Sequence, residues 1–297
     1  MASTAAQFFL VTAFSSSAFG GNPAGIVFLD TTLPPDYLGK IAQTLNQPMI
    51  SVVSPVPLPS DNLKATAYSV RFFATSGKEV QICGHGTLAA AKVIFELPEV
   101  ASSEVDTIHF KNLYGNTLTA VKRENGFVEL KIPSTVPGDV SDEEKARLKV
   151  YVDKAFGRDV KITDMKTGGS VYSSYIMTEI DENENLAGSS IDPNTLIGNG
   201  YTVNIFTSAS SSSDEEFVSR MISPGMVPGG EDHVCGSAHG TLTPYWHSKR
   251  GIKPGVEVKA RPVSPRGGEL RVTLDDVAGS VILKGQATVF ATGQLHL

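Results

Sequence analysis

From residue 83 to residue 97 the chain offers Leu88, Ala89, Ala90, Ala91, Val93, Ile94, Phe95 and Leu97, with Lys92 the only charge before Glu96. A helix that is apolar on nearly every face has no side to give to solvent and must be buried. Strands on several sides are therefore needed to wrap it, and residues 108–110, 118–121 and 128–132 are the candidates. The stretch that heads this run, Cys83-Gly84-His85-Gly86-Thr87-Leu88, returns far downstream as Cys235-Gly236-Ser237-Ala238-His239-Gly240-Thr241-Leu242. These are the two cysteines of the chain. Each precedes a glycine, and each follows an arginine-led, strand-like run, Val70-Arg71-Phe72-Phe73-Ala74 and Ser219-Arg220-Met221-Ile222-Ser223. The expected organisation is two copies of one unit, each contributing a thiol.

Length agrees with a duplicated unit, since 297 residues fit two domains of roughly 150 each. The boundaries expected are 1–130 with 282–297 for a discontinuous first half and 131–281 for the second. Phosphate binding needs concentrated Lys and Arg, and a formal charge of -6 without a basic cluster argues against a nucleic-acid partner. The start of the chain lacks the basic region and the length of a signal or membrane segment, so a cytoplasmic location and no membrane partner are expected. In a reducing compartment the two cysteines are expected as free thiols.

Along the chain, residues 8–14 and 24–29 read as strands, with Gly20-Gly21-Asn22-Pro23 as a turn whose bare backbone can approach a ligand. Pro34-Pro35 opens a helix to about residue 46, with Pro48 expected to stop it. A strand at 50–53 is followed by Pro55, Pro57 and Pro59, which predict a loop or an edge. Another strand covers 67–73, and the proline, glycine and serine of 133–138 suggest a crossing between halves. Ser141-Asp142-Glu143-Glu144 is a capping box, opening a helix that ends at Gly157 and buries Leu148, Val152, Ala155 and Phe156. Strands are expected at 171–180 and 201–206, a low-complexity turn at 208–213, and terminal strands at 256–260, 270–274, 281–284 and 287–290.

No Walker loop, G-x-G-x-x-G or C-x-x-C occurs, and the histidines and acids lack metal-ligand spacing, so neither a cofactor nor a metal is expected. The chemistry then falls to the cysteines. A cysteine at a helix N-terminus faces unpaired backbone N–H groups and the positive end of the helix dipole, which favour its thiolate and lower its pKa. The same donors hold a carboxylate. Two such helix starts facing one small acid would let one sulfur remove a proton while the other delivers one to the opposite face, with the helix ends stabilising the enolate-like charge. The plainer alternative is that both cysteines are small buried hydrophobes. His85 and His239 occupy comparable places in the two units, either as hydrogen-bonding or acid groups near a substrate or as core or cap residues.

At these residues the chain resembles the phenazine-biosynthesis isomerase (PhzF-like) family of the diaminopimelate epimerase-like superfamily. The resemblance runs through Gly21-Asn22-Pro23-Ala24, Arg71-Phe72-Phe73, Cys83-Gly84-His85-Gly86-Thr87, Glu231-Asp232-His233-Val234-Cys235-Gly236-Ser237-Ala238-His239 and Pro244-Tyr245-Trp246. It implies an α+β fold of two pseudo-symmetric halves, each a curled sheet around a buried central helix, with the site in the cleft between them and the last strand returning to the first half. It also implies a homodimer. By motif, His85, Asp232 and Ser237 match the family's substrate-site histidine, aspartate and serine, Gly84 and Gly236 supply nearby backbone, and Asn22 and Gly86 complete the expected substrate contacts. The chain departs from the family twice. Where the family carries an acid/base glutamate three residues after an asparagine, this sequence reads Asn46-Gln47-Pro48-Met49, and where threonine is usual it has Cys235. Related amino-acid epimerases pair two cysteines at these helix starts.

The expected function is therefore a cofactor-independent racemase or epimerase of a small carboxylate-bearing substrate, with Cys83 and Cys235 as the acid/base pair. Two alternatives stay open. One is a double-bond isomerase or cyclase using one cysteine with Asp232 or His85, and the other is a non-catalytic binding or redox-sensing protein.

Overall fold

The computed structural model describes residues 5–58 and 63–297; Pro59, the last of the three prolines read as breaking the chain, lies outside them. By its internal contacts the chain forms two compact units, Met1–Lys131 with Lys284–Leu297, and Ile132–Leu283.

In the first unit β1 (Ala5–Ala13) is flanked by β2 (Asn22–Phe28) and by the last strand of the chain, Ala287–His296, both antiparallel. The turn expected at 20–23 is shorter than foreseen: Gly21 takes a left-handed φ of 67°, but Asn22 and Pro23 already pair with Ala13 and Thr12. α1 (Pro35–Leu45) ends at Asn46, whose left-handed φ of 50° stops the helix before Pro48 is reached. Its Leu38, Ile41 and Ala42 pack on Val27, Ile50, Val52 and Phe73.

β3 (Met49–Val56) runs parallel to β2 and antiparallel to β4 (Ala65–Ala74). It continues through Pro55, opposite Tyr68, beyond the strand end expected at 53. Its pairing with β2 stops at Val53, so Pro55 sits on an edge, where a residue without an N–H is tolerated. β5 (Glu79–Val80) folds back on β4 and leads into α2 (Gly84–Glu96) and a single turn, α3 (Pro98–Ala101). β6 (Thr107–Lys111) then lies parallel to β4, and β7 (Thr117–Lys122) and β8 (Val128–Pro133) extend the ladder antiparallel. As the apolar pattern demands, α2 is buried from His85 to Phe95 except at Lys92, packed against β1, β2, β3, β7 and the last strand. Each fully buried leucine or isoleucine on it contributes about 1.5–3 kcal/mol.

The second unit opens with β9 (Gly138–Asp139) and α4 (Asp142–Phe156), which buries the four residues expected. Ser141 accepts the Glu144 N–H at 3.2 Å, but the reciprocal arm of the capping box is replaced: the Glu144 carboxylate accepts both guanidinium donors of Arg147. β10 (Ile162–Gly168), unforeseen because its Ile-Thr-Asp-Met-Lys-Thr-Gly mixes polar residues into both faces, pairs antiparallel with β11 (Tyr172–Ile180). β12 (Val203–Ala209) starts later and ends later than expected, so Ser208 is a buried strand residue and the low-complexity turn begins after it. β13 (Phe217–Ile222), β14 (Glu231–Asp232), α5 (His239–Arg250), β15 (Glu257–Pro262) and β16 (Leu270–Asp275) follow. β17 (Ser280–Gly285) then leads to β18 (Ala287–His296), the strand beside β1.

The strand orders of the two units repeat. β2–β3 parallel, β3–β4 antiparallel, β4–β6 parallel and β6–β7 antiparallel recur as β11–β12, β12–β13, β13–β15 and β15–β16 in the same sequence of directions. α2 and α5 occupy the same place in that order.

Candidate active site

In each unit an arginine on the third strand of the repeat, β4 or β13, reaches across to a glutamate four residues before the cysteine. Arg71 donates to both carboxylate oxygens of Glu79 at 2.8 and 2.5 Å and, through Nη1, to the carbonyls of Thr31 and Leu33. Arg220 donates to both oxygens of Glu231 at 2.7 Å and to the carbonyls of Leu186 and Ser189. Both guanidinium groups are buried, at 4% and 5% exposure. A bidentate pair with Nη1 on two carbonyls holds the guanidinium at four of its five donors, and it fixes the short strand that delivers each cysteine.

Cys83 caps α2. Its sulfur accepts the Gly86 N–H at 3.4 Å and lies 3.4 Å from His85 Nδ1. The Thr87 hydroxyl donates to the Cys83 carbonyl at 2.7 Å. Gly86 has no room for a side chain: a Cβ there would stand 2.8 Å from Ser51 Oγ and 3.2 Å from Met49 Cγ. Met49 thus sits against the first turn of the helix that Cys83 caps. Gly84 is the first residue of that helix, and Asn22 is buried at the first residue of β2.

Cys235 lies in the other unit, after β14, whose Asp232 pairs with Met221 of β13. The sequence places a helix start here, but α5 begins only at His239; Gly236, Ser237 and Ala238 form a tighter turn, closed by His239 N–H to the Gly236 carbonyl and Gly240 N–H to the Ser237 carbonyl, each 3.0 Å. The Ala238 amide, three residues on, still favours the Cys235 thiolate, as a capping donor does. Ser237 Oγ stands 3.2 Å from the sulfur and 2.8 Å from Tyr175 Oη. His239 Nδ1–H donates to the Cys235 carbonyl at 2.8 Å.

Counting from each cysteine therefore aligns the units. The second residue on, His85 or Ser237, touches sulfur, and the fourth, Thr87 or His239, binds the cysteine carbonyl; the amide of the third favours the thiolate, Gly86 through a hydrogen bond to sulfur and Ala238 as one of the groups opposing the rise at Cys235. His85 and His239 are consequently not counterparts, although the shared His-Gly-Thr-Leu suggests it. His239 is a core residue against Phe217, and burial pushes its pKa down to about 4.

The expected lowering of the thiol pKa is reversed at Cys235. Burial pushes this thiol well up, the Asp232 carboxylate pushes it further, and the donors Ser237 and Ala238 oppose them. The dipole argument fails because a desolvated thiolate loses more than a turn's amides return. Tyr172 and Tyr175, on β11, were not singled out from the sequence, since only the fold brings them to a cysteine some sixty residues away; burial and the neighbouring Cys235 hold both phenols well above their ordinary value. Tyr172 Oη donates to the Pro133 carbonyl at 2.8 Å, and Gly240 lacks a side chain because a Cβ there would lie 2.4 Å from that hydroxyl.

Among the described residues no group of three or more His, Cys, Asp or Glu could hold a metal ion, and no helix is long and apolar enough to cross a membrane. The structure thus gathers Cys83, Gly84, His85 and Gly86 in one unit, and Asp232, Cys235, Gly236 and Ser237 in the other.

The model of the family described as phenazine biosynthesis-like protein matches residues 11–293. An uncharacterized isomerase of Halalkalibacterium halodurans is 32% identical over 97% of this chain and 98% of its own length. Among solved structures, a phenazine biosynthesis protein of the PhzF family from Enterococcus faecalis gives a TM-score of 0.80 at 28% identity, over 99% of this chain and 100% of that one. A hydroxyproline epimerase from Agrobacterium vitis shares the fold, with a TM-score of 0.58 at 14% identity over 100% of this chain and 93% of that one.

Proposed function

Because the chain belongs to the phenazine biosynthesis-like family, has its diaminopimelate epimerase-like fold and is an isomerase, we propose that it racemises or epimerises a small carboxylate-bearing substrate through Cys83 and Cys235, without a cofactor. The observation that carries this reading is the equivalence of the two cysteine turns: each sulfur has a polar side chain two residues on against it, and each cysteine carbonyl is bound by the side chain four residues on. Buried small hydrophobes need neither.

The two sulfurs have unequal surroundings and so divide the work. Cys235, kept protonated by burial and by Asp232, is the acid, and Cys83, in contact with His85, is the base. The C–H bond of the substrate breaks as S–H forms at Cys83, and the S–H bond of Cys235 breaks as C–H forms on the opposite face, its electron pair staying on sulfur. The backbone amides of Gly84 and Gly236, with His85 and Ser237, serve the carboxylate and the developing enolate charge. Met49, beside Gly86 where the family's pattern has its glutamate, moves no proton, which is why the task falls on a second thiol.

The test is solvent exchange. Candidate amino and hydroxy acids are incubated in deuterated water with wild type, Cys83→Ser and Cys235→Ser. Each substitution is expected to slow incorporation by about 10²–10⁴-fold, the usual worth of a positioned acid or base. Exchange that survives both substitutions sinks the thiol scheme. The contact between Cys235 and the Asp232 carboxylate supports a second reading, a proton shift along a conjugated skeleton by that dyad alone. Deuterium at a carbon remote from the one that lost hydrogen, unaffected by Cys83→Ser, identifies it. We further propose a homodimer, checked by light scattering.

A further inference from the structure

Ser237 Oγ stands between two groups, the Tyr175 phenol at 2.8 Å and the Cys235 sulfur at 3.2 Å. A serine hydroxyl has one proton to give, and which neighbour receives it decides what the sulfur meets. A phenol is the more acidic hydroxyl and the better donor, so the favoured order is Tyr175 O–H to Ser237 Oγ, leaving the Ser237 proton for sulfur. Tyr175 is itself held by β11, in register with Val203 of β12 and tilted against Tyr172 with ring centroids 5.1 Å apart. Tyr172 is anchored in turn to the Pro133 carbonyl.

We infer that Tyr175 is a positioning residue, whose phenol turns the Ser237 hydroxyl so that its proton points at the Cys235 sulfur. The role rests on the thiol reading of the site. When Cys235 gives its proton to substrate carbon, the thiolate left behind faces the Asp232 carboxylate and the phenols of Tyr172 and Tyr175, with His233 and His239 on the same segment. Two donors oppose that environment, the Ala238 amide and the Ser237 hydroxyl. The amide is fixed by the turn; the hydroxyl rotates, and Tyr175 is what holds it.

The experiment follows the sulfur directly. In Cys83→Ser protein Cys235 is the one remaining cysteine, and the β-carbon resonance of isotope-labelled cysteine reports its ionisation without any substrate. Tyr175→Phe is expected to shift that titration upward by about one pH unit, a tenfold smaller thiolate fraction. In the two-thiol protein it is expected to lower kcat for solvent exchange by about tenfold with little change in KM, as for an interaction strengthened in the transition state. Neither effect should appear when Ser237→Ala is already present, because the link is gone. A Tyr175→Phe protein whose Cys235 resonance and kcat are both unmoved, or whose shift is as large in the Ser237→Ala background, overturns the role. Failure of the thiol scheme shows elsewhere, as exchange that persists in Cys235→Ser while the titration still responds to Tyr175→Phe.

Discussion

The two cysteine units share a frame and differ in what the frame presents. Each has a buried bidentate arginine–glutamate pair, a cysteine four residues after the glutamate, and a side chain four residues further that binds the cysteine carbonyl. In the first unit the frame opens straight into a helix apolar on all sides, and the group against sulfur is His85. In the second a tight turn intervenes, the helix carries His239, Thr241, Thr243 and His247 into the interior, and the groups at sulfur are Ser237 and Asp232. A common frame with unlike second residues gives two thiols at equivalent positions in unlike surroundings, one beside an imidazole and the other with its pKa raised by burial and by the Asp232 carboxylate.

The strongest way to break the comparison is to remove one glutamate from each frame. Glu79→Ala and Glu231→Ala each leave a buried guanidinium without its partner, and each is expected to cost about 3–5 kcal/mol of unfolding free energy in urea titrations. Similar losses in the two variants show that the frames do the same work; a loss confined to one shows that only that unit depends on its clamp. The sharpest functional test exchanges the second residue. His85→Ser gives the first unit the hydroxyl of the second and is expected to slow solvent exchange by about 10²-fold, since the side chain against the proposed base is lost. A rate within twofold of wild type removes His85 from the chemistry.

The fourth residue supplies a pH test. Thr87 binds the Cys83 carbonyl and His239 the equivalent Cys235 carbonyl, but only the imidazole titrates. With its folded pKa near 4 against an ordinary 6.5, His239 binds fewer protons folded than unfolded between those values. Stability from this group is therefore complete above about 6.5 and is lost as pH falls toward 4. From pH 7 to pH 5 the loss is about 2 kcal/mol, at roughly 1.4 kcal/mol per unit. His239→Thr keeps a hydroxyl at the same position and is expected to flatten the urea-midpoint profile by that amount. A profile as steep as wild type assigns the slope to His233 and His247, which burial also lowers.

Much of this frame was legible in the sequence. An apolar run without a polar face demanded a wrapped helix, Ser141 and Gly157 bounded the helix between them, and two Cys-Gly pairs behind two arginines marked the repeat. What misled was the recurrence of His-Gly-Thr-Leu, because string likeness ranks four matched letters above a two-residue offset. Geometry from the cysteine puts Ser237 at the place of His85, and hydrogen bonds to one sulfur and one carbonyl decide that. The upward shift at Cys235 was hidden for another reason: dipole and cap can be inferred locally, whereas full burial depends on strands far along the chain. Tyr175 was invisible on the same ground, since β11 reaches Ser237 only through the sheet.

The third residue yields the smallest effect and the finest comparison. Ala238 carries a Cβ where Gly86 carries none, so Gly86→Ala asks whether the two caps are interchangeable at that atom. Alanine in place of glycine inside a helix is worth about 1 kcal/mol in its favour. Against this, the new Cβ would lie 2.8 Å from Ser51 Oγ and 3.2 Å from both Met49 Cγ and Phe72 Cδ1, and Ser51 is fully buried with its hydroxyl donating to the Gly86 carbonyl. Overpacking of this kind costs about 1–3 kcal/mol, so a net loss of about 1 kcal/mol is expected in urea. Removing the closest atom reverses the balance: in a Ser51→Ala background the same substitution should cost nothing measurable, with the coupling between the two sites about 1 kcal/mol. An equal penalty in both backgrounds places the crowding at Met49 and Phe72 instead, and the first cap then owes its glycine to β3 and β4 together rather than to one hydroxyl.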